Sequence, residues 1–268
     1  MSPKCDKVFL CFGGGSGMGE ATVRRFSEAG ARVVIADRDE AAAGRIIADL
    51  KAQGREALFV RTDCTSEADI REAVDFTARS FGRVDVSLYT PGFNASGNLE
   101  DLTLERWQQG IDLNFTGVFL YMKYVIRQMK RNGGGVICTV SSENSVAPCV
   151  GFGNYCATKA AVDMLTRVAA MEVGRSGIRV FSVNPGFVKT PLVAELTGIE
   201  AIAQQYRDRC ALGRRAEPSE IASAIFALCS DDFSYFTGEN FILDGGAQHY
   251  GYPDIRATLL EMKKRSAQ

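Results

Sequence analysis

The chain holds one histidine, one tryptophan and seven prolines among its 268 residues. The near absence of histidine excludes the most. A Ser-His-Asp hydrolase needs an imidazole base, and catalytic zinc sites usually draw on several histidines. His249 stands near the C-terminus without an H-E-x-x-H or comparable partner. No metal site is therefore expected, and proton transfer must rest on tyrosine, lysine or a carboxylate. The eight cysteines, at 5, 11, 64, 138, 149, 156, 210 and 229, form no C-x-x-C pair. Several lie in apolar runs where a thiol behaves as a small hydrophobe, which points to reduced cysteines in a cytoplasmic protein. No apolar run is long enough to span a bilayer, no basic block marks a nucleic-acid partner, and Met1 to Lys7 lacks the layout of a signal peptide.

What is present is core-forming. Hydrophobic residues make up 46% of the chain, basic and acidic groups nearly cancel to a net charge of −1, and no Pro-, Ser- or charge-rich stretch resembles a linker. One domain spanning 1–268 is expected. Short apolar runs alternate with amphipathic stretches. Strands are predicted at Val8–Phe12, Arg32–Asp37, Glu56–Thr62, Asp85–Tyr89, Val136–Val140, Ile178–Val183 and Phe241–Leu243, mostly without polar alternation, as in a parallel sheet covered on both faces. Helices are predicted at Met18–Ala29, Glu40–Gln53, Glu67–Phe81, Leu104–Arg131, Asn154–Arg175 and Pro218–Ser230, and Gly30, Gly54, Gly82, Gly133 and Gly177 follow five of them as C-caps. The order implies an α/β fold, a Rossmann-like doubly wound parallel sheet with helices on both faces. The rhythm breaks after Phe187: residues 190–213 read as a substrate lid with a helical patch around Ile199–Cys210, and 247–268 as a tail whose Lys263-Lys264-Arg265 cluster is a solvated end.

The first strand runs into Gly13-Gly14-Gly15-Ser16-Gly17-Met18-Gly19, and a helix follows at once. Glycines let backbone N–H groups approach a pyrophosphate, and the helix N-terminus adds partial positive charge. The strict G-x-G-x-x-G spacing is absent because Met18 fills its last place; the spacing present is G-x-x-x-G-x-G. Asp37, ending the second strand, suits the ribose hydroxyls of NAD and repels the 2′-phosphate of NADP, while Arg38 would attract that phosphate. NAD is the expected cofactor. Asp63 is placed for the adenine, for a helix cap near Thr65, or for both.

Ser142 ends the fifth strand, and Tyr155-Cys-Ala-Thr-Lys159 opens the helix after it. Tyr155 and Lys159, at i and i+4, share a helix face. A phenol with a pKa of about 10 is a poor base at neutral pH, and a neighbouring ammonium would lower that value.

Together Gly13-x-x-x-Gly17-x-Gly19, Asp63, Asn114, Ser142, Tyr155-x-x-x-Lys159, Asn184-Pro185-Gly186 with Thr190, and the final Asp244-Gly245-Gly246 resemble the short-chain dehydrogenase/reductase family. The resemblance runs through nearly the whole chain in order. It implies that Tyr155 is the catalytic acid/base, that Ser142 orients the substrate oxygen, and that Lys159 holds the nicotinamide ribose while depressing the tyrosine pKa. It implies that Asn114 interrupts its helix to hold a water on the proton path. The cofactor cradle so implied comprises Gly13, Ser16, Gly17, Met18, Gly19, Asp37, Arg38, Asp63, Cys64, Thr90, Gly92, Tyr155, Lys159, Pro185, Gly186, Val188 and Thr190, the last two at the carboxamide. Two departures stand out: Phe12 replaces the threonine usual before the first glycine, and Tyr89-Thr90-Pro91-Gly92 replaces Asn-Asn-Ala-Gly.

The expected reaction is hydride transfer between NAD(H) and a secondary alcohol or its ketone. Competing readings are an NADPH-dependent ketoreductase and a non-catalytic NAD-binding scaffold. Pocket walls are expected from Phe93, Asn94, Glu143 to Phe152 and Phe187; Val146, Val150, Phe152 and Phe187 point to a largely apolar or ringed substrate. Glu143 and Asn144 either read a second polar group or face solvent. A homo-oligomer, dimer or tetramer, is expected, with the helices at Leu104–Arg131 and Asn154–Arg175 as contact faces.

Overall fold

The computed structural model describes residues 6–191, 199–251 and 255–266; part of the lid, residues 192–198, lies outside the described residues. Seven parallel strands form one sheet in the order β3-β2-β1-β4-β5-β6-β7. They are β1 Val8–Phe12, β2 Arg32–Asp37, β3 Ala57–Arg61, β4 Val86–Tyr89, β5 Gly135–Val140, β6 Ile178–Pro185 and β7 Asn240–Leu243. The helices are α1 Gly17–Glu28, α2 Glu40–Ala52, α3 Glu67–Phe81, α4 Leu104–Ile111, α5 Gly117–Asn132, α6 Gly153–Val173, α7 Glu200–Asp208, α8 Pro218–Leu228 and α9 Ile255–Ser266.

Because successive strand residues point to opposite faces, one strand feeds two cores. Phe9, Cys11, Val33 and Ile35 pack with Phe26 of α1, Ile46 of α2 and Ile221 of α8, while Leu10, Phe12 and Val34 pack with Ile70 of α3, Val125 of α5 and Val162 of α6. All five residues of β1 are buried, which is why it reads as an unbroken apolar run. The sheet order reverses between β1 and β4, whose ends are in register at Phe12 and Tyr89. Ligand crevices form at such a switch point.

The continuous helix expected over Leu104–Arg131 is interrupted. A π-helical turn, Asp112–Thr116, separates α4 from α5 and carries Asn114. The helical period runs through the segment, so the extra residue is invisible in the hydrophobic pattern. Buried Phe12, Tyr89 and Tyr121 fill the space behind this turn, with Phe12 edge-on to Tyr121 at 5.2 Å and Tyr89 tilted to Tyr121 at 5.3 Å. The Tyr89 hydroxyl donates to the Leu113 carbonyl at 2.8 Å. The two departures from the family pattern thus form one aromatic layer that also supports the π turn. Tyr89→Phe removes the donor to a part-buried carbonyl, at a cost of about 1 kcal/mol. Thermal unfolding should show a melting temperature lower by several degrees; an unchanged value would count against this role.

Candidate active site

The glycine-rich turn is built for close approach. Gly13 takes φ +77°, and a Cβ on Gly19 would lie 2.0 Å from the Gly13 carbonyl, so no side chain fits there. The turn hangs on neighbouring strands: the Gly13 N–H donates to Ala36 at 2.8 Å, and the Thr90 hydroxyl donates to the carbonyls of Phe12 and Gly13 at 3.0 and 2.9 Å. Thr90 therefore braces the turn that the missing threonine at position 12 would have braced. Ser16, at the N-cap of α1, makes no side-chain cap bond. The first N–H groups of α1 face the turn, as anion sites at helix N-termini require. Asp37 is fixed by the N–H groups of Gly15 and Asp39, at 2.8 and 3.0 Å.

These residues line a cleft of about 440 Å³. It gathers Gly13, Ser16, Gly17, Met18, Gly19, Asp37, Arg38, Asp63, Cys64, Thr90, Gly92 and Thr190 from the predicted set. It also takes in Thr62, Thr65, Pro91, Leu113 and Pro191, none of which was expected in the cradle. Asp63 faces the cleft and also accepts from the Thr65 N–H and hydroxyl at 2.9 and 2.7 Å, contacts that hold its carboxyl below the usual range. The helix cap itself is Ser66. Pro185, Gly186 and Val188 are not among the cleft-lining residues. Pro185 pairs with Leu243, Gly186 rests against Asp244, and Val188 is buried in the core and bridged to Ala216.

At the carboxyl end of β5 the second group assembles. The Lys159 ammonium, buried, donates to the Val140 carbonyl at 2.8 Å, and the Ser141 hydroxyl donates to the Lys159 carbonyl at 3.1 Å. Lys159 lies 5.5 Å from the centre of the Tyr155 ring, and its Nζ is 3.9 Å from where a Cβ on Gly92 would stand, beside the cleft. Asn114 accepts from the Phe93 N–H and donates to the Phe93 carbonyl, both at 2.8 Å, and donates to Thr158 at 3.2 Å. Its amide is thus a clamp on the Phe93 backbone. A buried network ties α6 to β6: the Asn184 amide donates to Asp163 at 2.7 Å and to Ser145 at 2.9 Å.

The electrostatics differ from expectation in one respect. Burial pushes the Tyr155 phenol up to about 12, while Ser142, placed to hydrogen-bond it, pulls the other way. Burial also brings the Lys159 ammonium down to about 8, against the pull of Asp163. Burial of the phenol thus sets the direction of its shift, and the Lys159 ammonium donates to Val140.

On the substrate side, Val150 and Phe152 line one pocket with Ile255 and Leu259 of α9. Val146 and Val150 are exposed, whereas Glu143 and Asn144 are buried. Phe152, Cys149, Ile202 and Tyr206 form an apolar cluster with Tyr155 and Phe187, and Phe187 stacks on Tyr206 at 3.7 Å. Ile255 and Leu259 of α9 join it, and Lys264 and Arg265 are exposed, as expected of the basic cluster. Among the described residues no helix is long and apolar enough to cross a membrane.

A glycine cradle at a sheet switch point, an acidic residue ending β2, and a serine, tyrosine and lysine beside them define a nicotinamide-dependent oxidoreductase of the Rossmann class. Comparison with known proteins narrows the class. Residues 13–248 match a family model described as enoyl-(acyl carrier protein) reductase. A 2,5-dichloro-2,5-cyclohexadiene-1,4-diol dehydrogenase of Sphingobium indicum is 35% identical over 240 residues, 90% of this chain and 95% of that protein. A 3-alpha-(or 20-beta)-hydroxysteroid dehydrogenase of Mycobacterium tuberculosis is 40% identical, covering 90% of this chain and 88% of its own length. Among solved structures, a short-chain type dehydrogenase/reductase from Mycobacterium ulcerans superposes with a TM-score of 0.92 at 32% identity, over 97% of this chain and 96% of that one. A 3-ketoacyl-(acyl-carrier-protein) reductase from Brucella melitensis, complexed with NADH, gives 0.83 at 35% identity, over 90% and 98%. The chain belongs to the short-chain dehydrogenase/reductase family.

Burial raises the Glu143 carboxyl from the usual 4.5 to about 8, with the Asp244 carboxylate adding to the effect. Its folded value lies above its unfolded one, so stability tied to this group is full below pH 4.5 and lost as pH rises through 8. Glu143→Gln should melt several degrees above the wild type at about pH 9 and level with it at about pH 4, read by calorimetry. An equal offset at both would show that the carboxyl does not titrate in this window.

Proposed function

We propose that the chain interconverts a small, largely apolar or ringed secondary alcohol and its ketone with NAD(H). The observation that carries the reading is the convergence of Ser142, Tyr155 and Lys159 at the end of β5, next to the cradle rimmed by Asp37. NAD, when bound, supplies the ring that accepts or returns the hydride. Gly13, Ser16, Gly17, Met18 and Gly19 would hold its pyrophosphate, Asp37 its adenosine ribose, and Asp63 and Cys64 its adenine. Thr90, Gly92, Tyr155 and Lys159 would border the second ribose, with Pro185, Gly186, Val188 and Thr190 at the nicotinamide end.

Tyr155 exchanges the proton of the carbinol oxygen, and Ser142 holds that oxygen in place. A phenol near 12 is protonated at neutral pH, the state that ketone reduction needs. Asn114 positions the Phe93 segment and Thr158 beside Lys159. The hydroxysteroid and cyclic diol relatives support a ringed substrate, and the relative solved with NADH supports the cofactor. Asp37, held rigidly toward the cleft, favours NAD over NADP despite Arg38. Exposed Phe119, Met164, Val168 and Met171 on α5 and α6 support a homodimer or homotetramer built on those helices. Buried thiols at Cys11, Cys64 and Cys138 fit a reducing, cytoplasmic setting.

An NAD-linked absorbance screen of ring and chain alcohols tests the reaction. Tyr155→Phe should lower kcat by about 10²–10⁴-fold; turnover near the wild-type rate would remove the mechanism. Asp37→Ala should shift the NADP-to-NAD affinity ratio upward by about tenfold or more, since removing a fixed charge near a phosphate is worth at least about 1.4 kcal/mol. Fluorescence titration with both cofactors reads the ratio, and no shift would leave the NAD assignment without its main support.

A further inference from the structure

Asp163 lies one helical turn beyond Lys159 on α6, and its residue is only 5% exposed. Its two oxygens accept from the Ser182 hydroxyl at 3.2 Å and from the Asn184 amide at 2.7 Å, both on β6. An asparagine at this position would serve the same two groups. Its oxygen would accept from Asn184, and its N–H would donate to Ser182, whose own hydroxyl already reaches the Asn184 oxygen at 2.8 Å. Hydrogen bonding alone therefore gives no reason for a carboxylate, and burying a charge costs far more than burying an amide. The charge needs a partner of its own.

That partner is Lys159. Strands β5 and β6 are in register at Val140 and Val183. The Val140 carbonyl that seats the ammonium thus lies beside the segment whose Ser182 and Asn184 side chains hold Asp163. Adjacent strands are about 4.8 Å apart, and residues at i and i+4 share one face of a helix, so the two charges meet over one stretch of sheet. Lys159 is itself buried, and Asp163 opposes the fall that burial imposes on its ammonium. The other groups packed around Lys159 bring no second anion: Tyr155 on α6 is a phenol near 12, while Val140, Ser141 and the Gly92 backbone are neutral. Arg167, a further turn along α6, reaches Ser182 only through Asn240 of β7. With its amide turned to satisfy both neighbours, Asn240 donates to Ser182 at 2.9 Å and accepts from Arg167 at 2.9 Å.

We propose that Asp163 is a positioning residue for the proton transfer, a buried counter-charge that keeps the Lys159 ammonium charged beside Tyr155. The inference rests on the alcohol/ketone reading above. As the phenolic proton passes to a ketone oxygen, a neighbouring ammonium steadies the phenolate left behind; a neutral amine does not. Asp163 lines neither the nucleotide cleft nor the pocket at Phe152, so it acts through Lys159.

The test compares Asp163→Asn, which removes the charge and keeps the hydrogen bonds, with Ser182→Ala, which loosens the same network and keeps the charge. In the first arm, kcat/KM for NADH-linked reduction of the ketone of the best alcohol in the screen above is followed from about pH 6 to about pH 10. The alkaline limb should move to lower pH by about one unit in Asp163→Asn and stay in place in Ser182→Ala. In the second arm, calorimetry on the protein without nucleotide reads the charge pair. Lys159 lies near 8 in the folded chain against its ordinary 10.5, so it contributes stability that is full above 10.5 and lost as pH falls through 8. Asp163 softens that loss only while the ammonium is charged. The melting gap between wild type and Asp163→Asn should therefore be wider at about pH 7 than at about pH 10. An unmoved limb in Asp163→Asn, equal limb shifts in both variants, or a melting gap of one size at both pH values overturns the inference. Failure of Asp163→Asn to fold also overturns it, since the residue would then be structural. Each of these outcomes leaves the oxidoreductase reading standing; a chain that reduces no ketone removes both.

Discussion

The site depends on a buried ammonium. The Lys159 Nζ donates a hydrogen bond to the Val140 carbonyl, and its own carbonyl accepts one from the Ser141 hydroxyl. This two-way clasp fastens the first turns of α6 to the end of β5 and holds Ser142 and Tyr155 in one place. An unpaired buried charge would be expensive, so the clasp is also what lets an ammonium sit there. Its depressed pKa registers that burial. Asp163, one turn further along α6, partly offsets it and anchors the helix to β6 through Asn184.

Most of the fold was legible because its signals are local. Unbroken apolar runs gave the strands of a sheet buried on both faces, and Gly30, Gly54, Gly82, Gly133 and Gly177 all adopt the positive φ that a C-cap asks of them. The cradle was legible too, since only glycine at position 19 tolerates the Gly13 carbonyl so close. What escaped depends on contacts between distant segments. The π turn hides inside a helical period, and its support comes from Tyr89, on a strand far from it in the chain. Val150 lines a pocket with Phe152, as read, while Glu143 and Asn144 are buried because the turn after Ser142 breaks the alternation a strand would have imposed.

The departures from the family pattern are coupled. Phe12 removes a hydroxyl from beneath the glycine turn, and Thr90, two strand ends in register with it, provides one. Tyr89 takes the place of a smaller polar residue and fills the volume shared by Phe12 and Tyr121. Each change read alone weakens the match; packed together they restore a braced turn on a denser base.

The two halves of the site draw largely on different stretches of chain. The nucleotide cleft is lined by nothing beyond Pro191 among the described residues, whereas the apolar cluster around Tyr155 begins at Cys149 and takes its outer members from α7 and α9. Evolution can thus remodel the tail and α7 to fit another ring system while the nucleotide-holding machinery stays untouched. A chain of this design behaves as an exchangeable grip mounted on a constant engine, and its C-terminal end is where divergence among close relatives should gather.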